Sequence, residues 1–442
     1  MSEILLDSTR ALGPMKRMHA VNNGPQMKRP DQTRGNFDEF AAARIPFARN
    51  HDAAFYAAYG GEHIVDVNFI FTDFDRDPDD PTAYDFTLTD QYLKNTIDAG
   101  TGVFYRLGSK IEHWIKKYNT LPPKDFQKWA EICEHIIAHY NEGWADGHHW
   151  NIIYWEIWNE PDLDADDSTN KRCWGGTADE FFQLYRITAR HLKRRFPTLR
   201  IGGPALAGQL GDWTDRFLAS LTADGERTPL DFFSWHVYTT NPRDIGTKAR
   251  IVREKLDRAG YTEAESILNE WNYVRGWSKD FVYSIRQIIG AKGAAFTAAC
   301  MAVGQENPVD MLMYYDARPC PFNGLFDFYT MERLKGYWPF YGFADLYELG
   351  TQIAAVSDDP DVYCVAATDG NGRLGLIVAY YAEDDTAEPA KTVLIKAAPG
   401  GALPAPTAHV VDDARSYAEA FLQRQGDALA IQMPRNAIAF IS

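Results

Sequence analysis

Cysteine is scarce in this chain. Its five cysteines (Cys133, Cys173, Cys300, Cys320 and Cys364) are scattered, odd in number and never in a Cys-x-x-Cys spacing, which argues against a disulfide framework or a zinc site of that type. Long apolar runs are missing as well. The most apolar long window, 288–303, is interrupted by Lys292 and several small residues, too short and too broken to span a bilayer. The segment from Met1 to Ser8 lacks the basic region and apolar core of a signal peptide. A soluble, cytoplasmic protein is expected. Positive charge is in deficit: 45 Lys and Arg against 61 Asp and Glu leave a formal net charge of −16. That balance argues against nucleic acid or an anionic membrane surface as partner. No repeat, low-complexity segment, phosphate loop or Ser/His/Asp order stands out. Gly202-Gly203 lacks the third glycine and acidic follower of a dinucleotide site and reads as close backbone packing. His135 and His139 lie four apart in a helical segment without the glutamate of a zinc protease, and read as a surface or core pair. His148-His149 reads as loop. Neither metal nor cofactor is expected.

What remains is an ordinary globular balance, with 45% apolar and 24% charged residues. A chain of 442 residues suits a large barrel plus one smaller domain. Aromatics reach 14%; their faces suit the C–H faces of sugars, although large cores also bury many. Strand-like runs fall at 15–22, 44–51, 102–108, 152–159, 200–204, 231–238, 266–272 and 311–317. Helical periodicity falls at 88–98, 123–141, 178–196, 212–222, 243–259 and 279–303. Strand alternating with helix predicts an α/β fold, a parallel (β/α)8 TIM barrel, over 12–345. The long Asp- and Pro-rich connection 52–87 is expected to hold a further strand at 63–71 and to wall the pocket. From 346 the pattern changes to short runs (362–366, 373–381, 392–395, 408–411, 428–433 and 437–441) separated by Asp-Gly, Pro-Gly-Gly and Asn-Gly turns. These predict an antiparallel β-sandwich over 346–442. A strand at 4–6, within 1–11, could precede the barrel.

The chain is organised around Tyr154-Trp155-Glu156-Ile157-Trp158-Asn159-Glu160-Pro161. An apolar run with β-branched and aromatic bias ends abruptly in Asn-Glu-Pro, because Pro161 cannot donate to a sheet ladder. A carboxylate is thereby left at the carboxyl end of a buried strand, where barrels place their chemistry. The pattern returns in Ser266-Ile267-Leu268-Asn269-Glu270-Trp271-Asn272. Two strand-end glutamates can serve as the acid and the ionised carboxylate of glycoside cleavage. With Gly202-Gly203-Pro204 and Ser234-Trp235-His236-Val237-Tyr238, these segments resemble glycoside hydrolase family 39, retaining clan A enzymes that include β-xylosidases and α-L-iduronidases.

The resemblance implies retaining chemistry by double displacement on a glycoside or short oligosaccharide of plant or microbial origin, with a carbohydrate as partner. It makes Glu160 the general acid/base and Glu270 the nucleophile, about 5–5.5 Å apart. It implies that Asn159 bonds the sugar's 2-hydroxyl, that Tyr238 holds Glu270 in place and ionised, and that His236 lines the pocket. It also implies that Arg49 lowers the pKa of Glu270, that His51 contacts a sugar hydroxyl, and that the amino-terminal strand joins the carboxyl-terminal domain. Trp271, beside Glu270, is placed among the sugar contacts. Two places depart from the family. Arg106 ends the third strand where relatives tend to carry a glutamate, with Glu112 as a substitute from a following helix start. Tyr315 stands in the eighth strand where a tryptophan is common, with Asp316 or Arg318 as polar partners. The departures suggest a sugar other than simple xylose. Two other readings stay open: a transglycosylase on the same fold, and a carbohydrate-binding barrel without catalysis. Oligomeric state is not legible.

Overall fold

The computed structural model describes residues 1–26, 35–52, 63–208 and 210–442. Strand β1 (Ser2–Pro14) comes first. Eight strands then close a barrel: β2 (Arg17–Asn22), β3 (Phe47–Asn50), β4 (Gly102–Leu107), β5 (Tyr154–Ile157), β6 (Arg200–Leu206), β7 (Phe232–Thr239), β8 (Glu265–Tyr273) and β9 (Met311–Tyr314). Every neighbouring pair is parallel, including β2 with β9. Around them lie α1 (Phe37–Ala42), α2 (Val67–Ile70), α3 (Thr87–Asp98), α4 (Phe126–Asn141), α5 (Ala178–Arg195), α6 (Asp212–Ser220), α7 (Arg243–Arg258), α8 (Phe281–Ile288), α9 (Ala291–Glu306) and α10 (Tyr337–Leu349). The expected α/β barrel is present.

The barrel interior is layered by polarity. One layer is apolar, built from Ala20, Phe104, Tyr154, Phe232, Ile267, Met311 and Met313. Towards the carboxyl ends of the strands the lining turns polar, with Asn22, Arg49, Glu156, Ser234 and Asn269 all buried. A buried charge is tolerated only when paired, and these side chains pair with one another. The layer forms the floor beneath Glu160 and Glu270.

Two expectations are corrected outside the barrel strands, and one helix went unforeseen. Residues 63–71 form no strand: Val67 and Ile70, three apart and both buried, belong to α2. A short apolar run does not distinguish strand from helix by periodicity. The stretch 53–62 of the same long connection lies outside the described residues. The single helical segment 279–303 is two helices, α8 and α9, bent by 80°, with Gly290 in extended geometry capping α9. No single described helix is long and apolar enough to cross a membrane, and α9 is buried on nearly every side. Helix α10 escaped the sequence reading because its polar edge is confined to Asp345 and Glu348, which pair with Arg44; otherwise it packs on the barrel strand β2 and on the second sheet.

That second sheet adds β10 (Thr351–Ser357), β11 (Val362–Thr368), β12 (Leu374–Tyr380), β13 (Ala390–Ala397), β14 (Thr407–Val411), β15 (Ala418–Phe421), β16 (Gln423–Gln425), β17 (Ala428–Pro434) and β18 (Ala437–Ile441). Its order is β15-β14-β18-β12-β11-β10-β1-β13-β17-β16. The amino-terminal strand is thus a central member, antiparallel to β10 and parallel to β13. The sheet is therefore mixed at this one pairing, not wholly antiparallel. One face encloses a core of its own, including Ile4, Leu6, Val378, Ile395 and Ile431. The opposite face of β11, β12 and β18 (Val365, Ile377, Ala379, Phe440) joins the barrel's core.

Candidate active site

Two breaks in strand alternation build the site. In β5, Tyr154 and Glu156 point into the barrel while Trp155 and Ile157 point out. Strict alternation would send Trp158 inward. Its left-handed backbone (φ 75°) turns it outward instead, onto Trp129 and Trp174. Room for the indole is left by Gly108, where an added Cβ would lie 2.9 Å from the Trp158 ring. Asn159 then faces inward, and Glu160, itself at φ 48°, follows with its amide donating to the carbonyl of Ala205 (2.9 Å). In β8 the register against β7 slips by one residue between Leu268 and Glu270. That bulge lets Asn269 and Glu270 both face the interior, and bulges commonly re-aim side chains next to active sites.

The two carboxylates sit together: one oxygen of each, with a ring nitrogen of His236, falls within 4.8 Å of the others. Their surroundings differ. Glu270 accepts from the Arg49 guanidinium (Nη1–Oε1 2.8 Å) and from the Tyr238 hydroxyl (2.9 Å). Glu160 lies 2.8 Å from His236 Nδ1, and the Cys173 thiol is 3.7 Å from its other oxygen. Arg49 is the hub. Fully buried, it also donates to Glu156 (2.6 Å), to Asn22 Oδ1 (3.1 Å) and to Asn159 Oδ1 (2.6 Å). A guanidinium only donates, so the Asn159 oxygen must face it. The amide NH2 of Asn159 is thereby freed, without a partner among the described residues.

Glu156, not singled out from the sequence, completes the floor. It accepts from Ser234 Oγ and Asn269 Nδ2, each at 2.6 Å, besides Arg49. One cation is thus shared between a buried structural carboxylate and the carboxylate at the cavity.

Electrostatics separate the two glutamates further. Burial pushes the Glu160 carboxyl up to about 7, against the pull of Arg49 and the Cys173 thiol. Glu270 is raised by burial and by Glu160, while His236, Arg49 and Tyr238 draw it down. With a cation and a phenol directly on its oxygens, Glu270 is the one that ionises first. His236 is lowered to about 4, chiefly by burial, and His51 is held well below the ordinary histidine value for the same reason. Both rings are neutral near pH 7.

The sequence model of glycosyl hydrolases family 39 matches residues 47–272, just over half of the chain and the span that carries both glutamates. This chain belongs to family 39. A β-xylosidase of Geobacillus stearothermophilus is 30% identical over 184 residues, 39% of this chain and 34% of that protein. A β-xylosidase of Caldicellulosiruptor saccharolyticus is 29% identical over 180 residues, 38% of this chain and 33% of that protein. The matched region thus spans about a third of the length of these relatives. Among solved structures, a glucosidase from Croceicoccus marinus superposes with a TM-score of 0.79 at 21% identity, covering 100% of this chain and 98% of that one. A monomeric β-xylosidase from Caulobacter crescentus CB15 gives 0.70 at 18% identity, covering 100% and 99%. At such identities the structural likeness speaks for the fold.

Within this family 39 chain, the expected residues divide. Glu160, Glu270, Asn159, His236, Tyr238 and Arg49 converge as described. His51 joins them, its Nε2 lying 3.7 Å from Glu270 Oε1. Tyr315 stands beside His51 (ring centroids 6.2 Å) and donates to Asp52. Asp316 and Arg318 pair at 3.2 Å, and burial raises Asp316 to about 7 while Arg318 draws it down. Trp271 is corrected: it points out of the barrel onto Tyr314 (5.3 Å) and Phe296 of α9. Alternation resumes after the bulge that turns Asn269 and Glu270 inward, so the next residue, Trp271, faces out. Arg106 is also corrected. Fully buried, it donates to Asp66 (2.6 Å) and to the carbonyl of His51 (2.9 Å), so it positions the second connection rather than meeting a sugar. Glu112 lies in a loop, not at a helix start, and accepts from the amides of Tyr118 and Asn119. Two aromatics went unforeseen. Trp277, 61% exposed, meets the Tyr238 ring at 4.9 Å, and Phe322 lies between Trp277 and Tyr315.

Proposed function

We propose that the protein is a retaining glycoside hydrolase acting on a β-xyloside or a related pyranoside, with Glu270 as nucleophile and Glu160 as acid/base. The observation that carries this reading is the pairing of two close glutamates in unlike surroundings. One oxygen of each lies within 4.8 Å of the other, which supports the close spacing of a retaining pair, about 5–5.5 Å between carboxyls, over the roughly 6.5–9.5 Å of an inverting one. In the first step the Glu270 carboxylate attacks the anomeric carbon and forms an ester. The bond to the leaving oxygen breaks as Glu160 gives that oxygen its proton. In the second step Glu160, now ionised, takes a proton from water, whose oxygen attacks the same carbon and releases Glu270. Arg49 keeps Glu270 anionic between turnovers, and the Asn159 amide supplies a donor for the 2-hydroxyl, a contact that strengthens at the transition state.

The β-xylosidases named above support the sugar class, and the altered eighth strand with Tyr315 is the reason to include related pyranosides. The test is intact mass and peptide mapping after incubation with 2-deoxy-2-fluoro glycosides bearing good leaving groups. An adduct on Glu270 supports the nucleophile and names the sugar. An adduct on another residue removes the assignment. No adduct with any sugar of the panel favours a binding barrel. Water or a second sugar as acceptor is decided by product analysis at rising acceptor concentration.

A further inference from the structure

A second convergence of side chains lies in the helical layer outside the barrel, where α3, α4 and the connection 142–153 into β5 meet. Asp90 of α3, His139 of α4 and His148 of the connection each bring one donor atom within 4.8 Å of the other two. His139 Nε2 is 3.1 Å from Asp90 Oδ1, and His148 Nε2 is 3.3 Å from Asp90 Oδ2. The two rings thus approach the two oxygens of one carboxylate, close enough for all three side chains to reach a single ion with bonds of about 2.0–2.2 Å.

The tautomer of His139 is set by its other nitrogen. Nδ1 lies 2.9 Å from the carbonyl oxygen of Trp144, which can only accept, so Nδ1 carries the hydrogen. With Nδ1 as the donor to that carbonyl, Nε2 is left facing the Asp90 carboxylate, an arrangement that a bound metal ion would satisfy. Such a carbonyl behind the ring is the usual support of a metal-ligating histidine. His148 Nε2 is buried and makes no hydrogen bond, Asp90 notwithstanding. Both rings are clamped: His139 stacks on Phe86 at 3.5 Å and 4°, His148 on Trp150 at 3.8 Å and 7°. Gly147 permits the approach, because a Cβ there would lie 2.6 Å from His139 Nδ1 and 2.7 Å from the Trp144 oxygen.

We propose that Asp90, His139 and His148 bind one zinc ion, which ties the connection 142–153 to α3 and α4. Two imidazoles and one carboxylate suit zinc better than calcium or magnesium, which prefer oxygen alone. None of the three side chains takes part in the glutamate site, so the proposal stands apart from the reading of that site.

The full chain, stripped with EDTA and desalted, is titrated with zinc chloride by calorimetry, with thermal melting in parallel. One equivalent bound at micromolar affinity or better, with a higher Tm, is expected. His148→Ala and the near-isosteric Asp90→Asn should each weaken that binding at least about tenfold while keeping the apo Tm and glycoside turnover. Glu270→Gln should keep it, which separates this site from the Glu160–His236–Glu270 group. X-ray absorption should show two imidazoles on the ion. Absence of stoichiometric uptake overturns the proposal. So does uptake that survives both variants, or that is lost in Glu270→Gln.

Discussion

Glu160 and Glu270 are the same amino acid at the carboxyl ends of two strands of one barrel, yet they inhabit different chemistry. Glu270 is gripped from two sides by groups that favour its anion, Arg49 and Tyr238. Glu160 faces a neutral imidazole and a thiol, neither of which stabilises an anion strongly. Both are largely withdrawn from solvent, with the Glu160 and Glu270 side chains 13% and 6% exposed, so burial alone does not separate them. The difference lies in direct contact: the Arg49 guanidinium and the Tyr238 hydroxyl bond to Glu270, whereas Arg49 acts on Glu160 only from a distance. Arg49 is kept beside Glu270 by Glu156, Asn22 and Asn159, so the asymmetry is anchored in the floor of the barrel.

The largest expected effect comes from removing the anion itself. Glu270→Gly should lower turnover by about 10⁴–10⁶-fold, with azide restoring activity on activated glycosides. The azide adduct should have the inverted anomeric configuration, read by NMR. A retained adduct would mean that the nucleophile sits elsewhere. Glu160→Ala should cost about 10²–10⁴-fold on poor leaving groups and little in the first step on activated ones. Equal losses on both substrates would remove Glu160 as the acid.

The pH profile tests the same contrast in the unmodified chain. In the proposed mechanism Glu160 carries a proton for the first step, and burial raises its pKa to about 7, so kcat/KM should fall as pH rises through about 7. Glu270 must be ionised, so activity is lost as pH drops through its own value, which burial lifts above that of an ordinary glutamate. In Glu160→Gln the high-pH limb should vanish for activated substrates. A limb that persists there belongs to another group.

Much of this was legible in the chain, and what was missed has a physical cause. Strand ends marked by Asn-Glu-Pro and Asn-Glu-Trp announce themselves, because proline and clustered aromatics punctuate an apolar run. The eight strands followed from short apolar runs alternating with segments of helical period. Glu156 was not legible as the partner of Arg49: it sits inside an apolar run, and only the folded sheet brings β3 and β5 to either side of β4. Nor was α10, mostly buried between barrel and sheet, with Asp345 and Glu348 as its only charged residues and so a weak amphipathic period. Asp90 and His139 are separated by 49 residues, and no local spacing links them. The bulge in β8 is the sharpest case, since a one-residue slip leaves no mark in composition.

A smaller effect should follow from loosening one grip on Glu270. Tyr238→Phe removes one hydrogen bond to a charged group, worth about 1.5–3 kcal/mol, while Arg49 stays in place. A loss of roughly ten- to a hundredfold in kcat is expected by that measure, with the low-pH limb moved upward because the Glu270 anion has lost a donor. An unchanged limb would mean that Arg49 alone sets the ionisation of Glu270.

The smallest effect on catalysis is expected next door. Trp271 is adjacent to Glu270 in sequence, and a reading by proximity would make its indole a sugar platform. The bulge instead directs it onto Tyr314 and Phe296, outside the barrel. Its replacement should be felt as packing: Trp271→Phe leaves a partial void and should cost about 1–2 kcal/mol of stability, visible as a lower Tm, while KM stays unchanged. Trp277→Ala serves as the contrast, because that exposed indole stands against Tyr238 at the rim and its loss should raise KM with little change in Tm. A raised KM for Trp271→Phe with unchanged Tm would show that β8 runs in the other register. The bulge, and with it the placement of Glu270 between Arg49 and Tyr238, would then have to be redrawn.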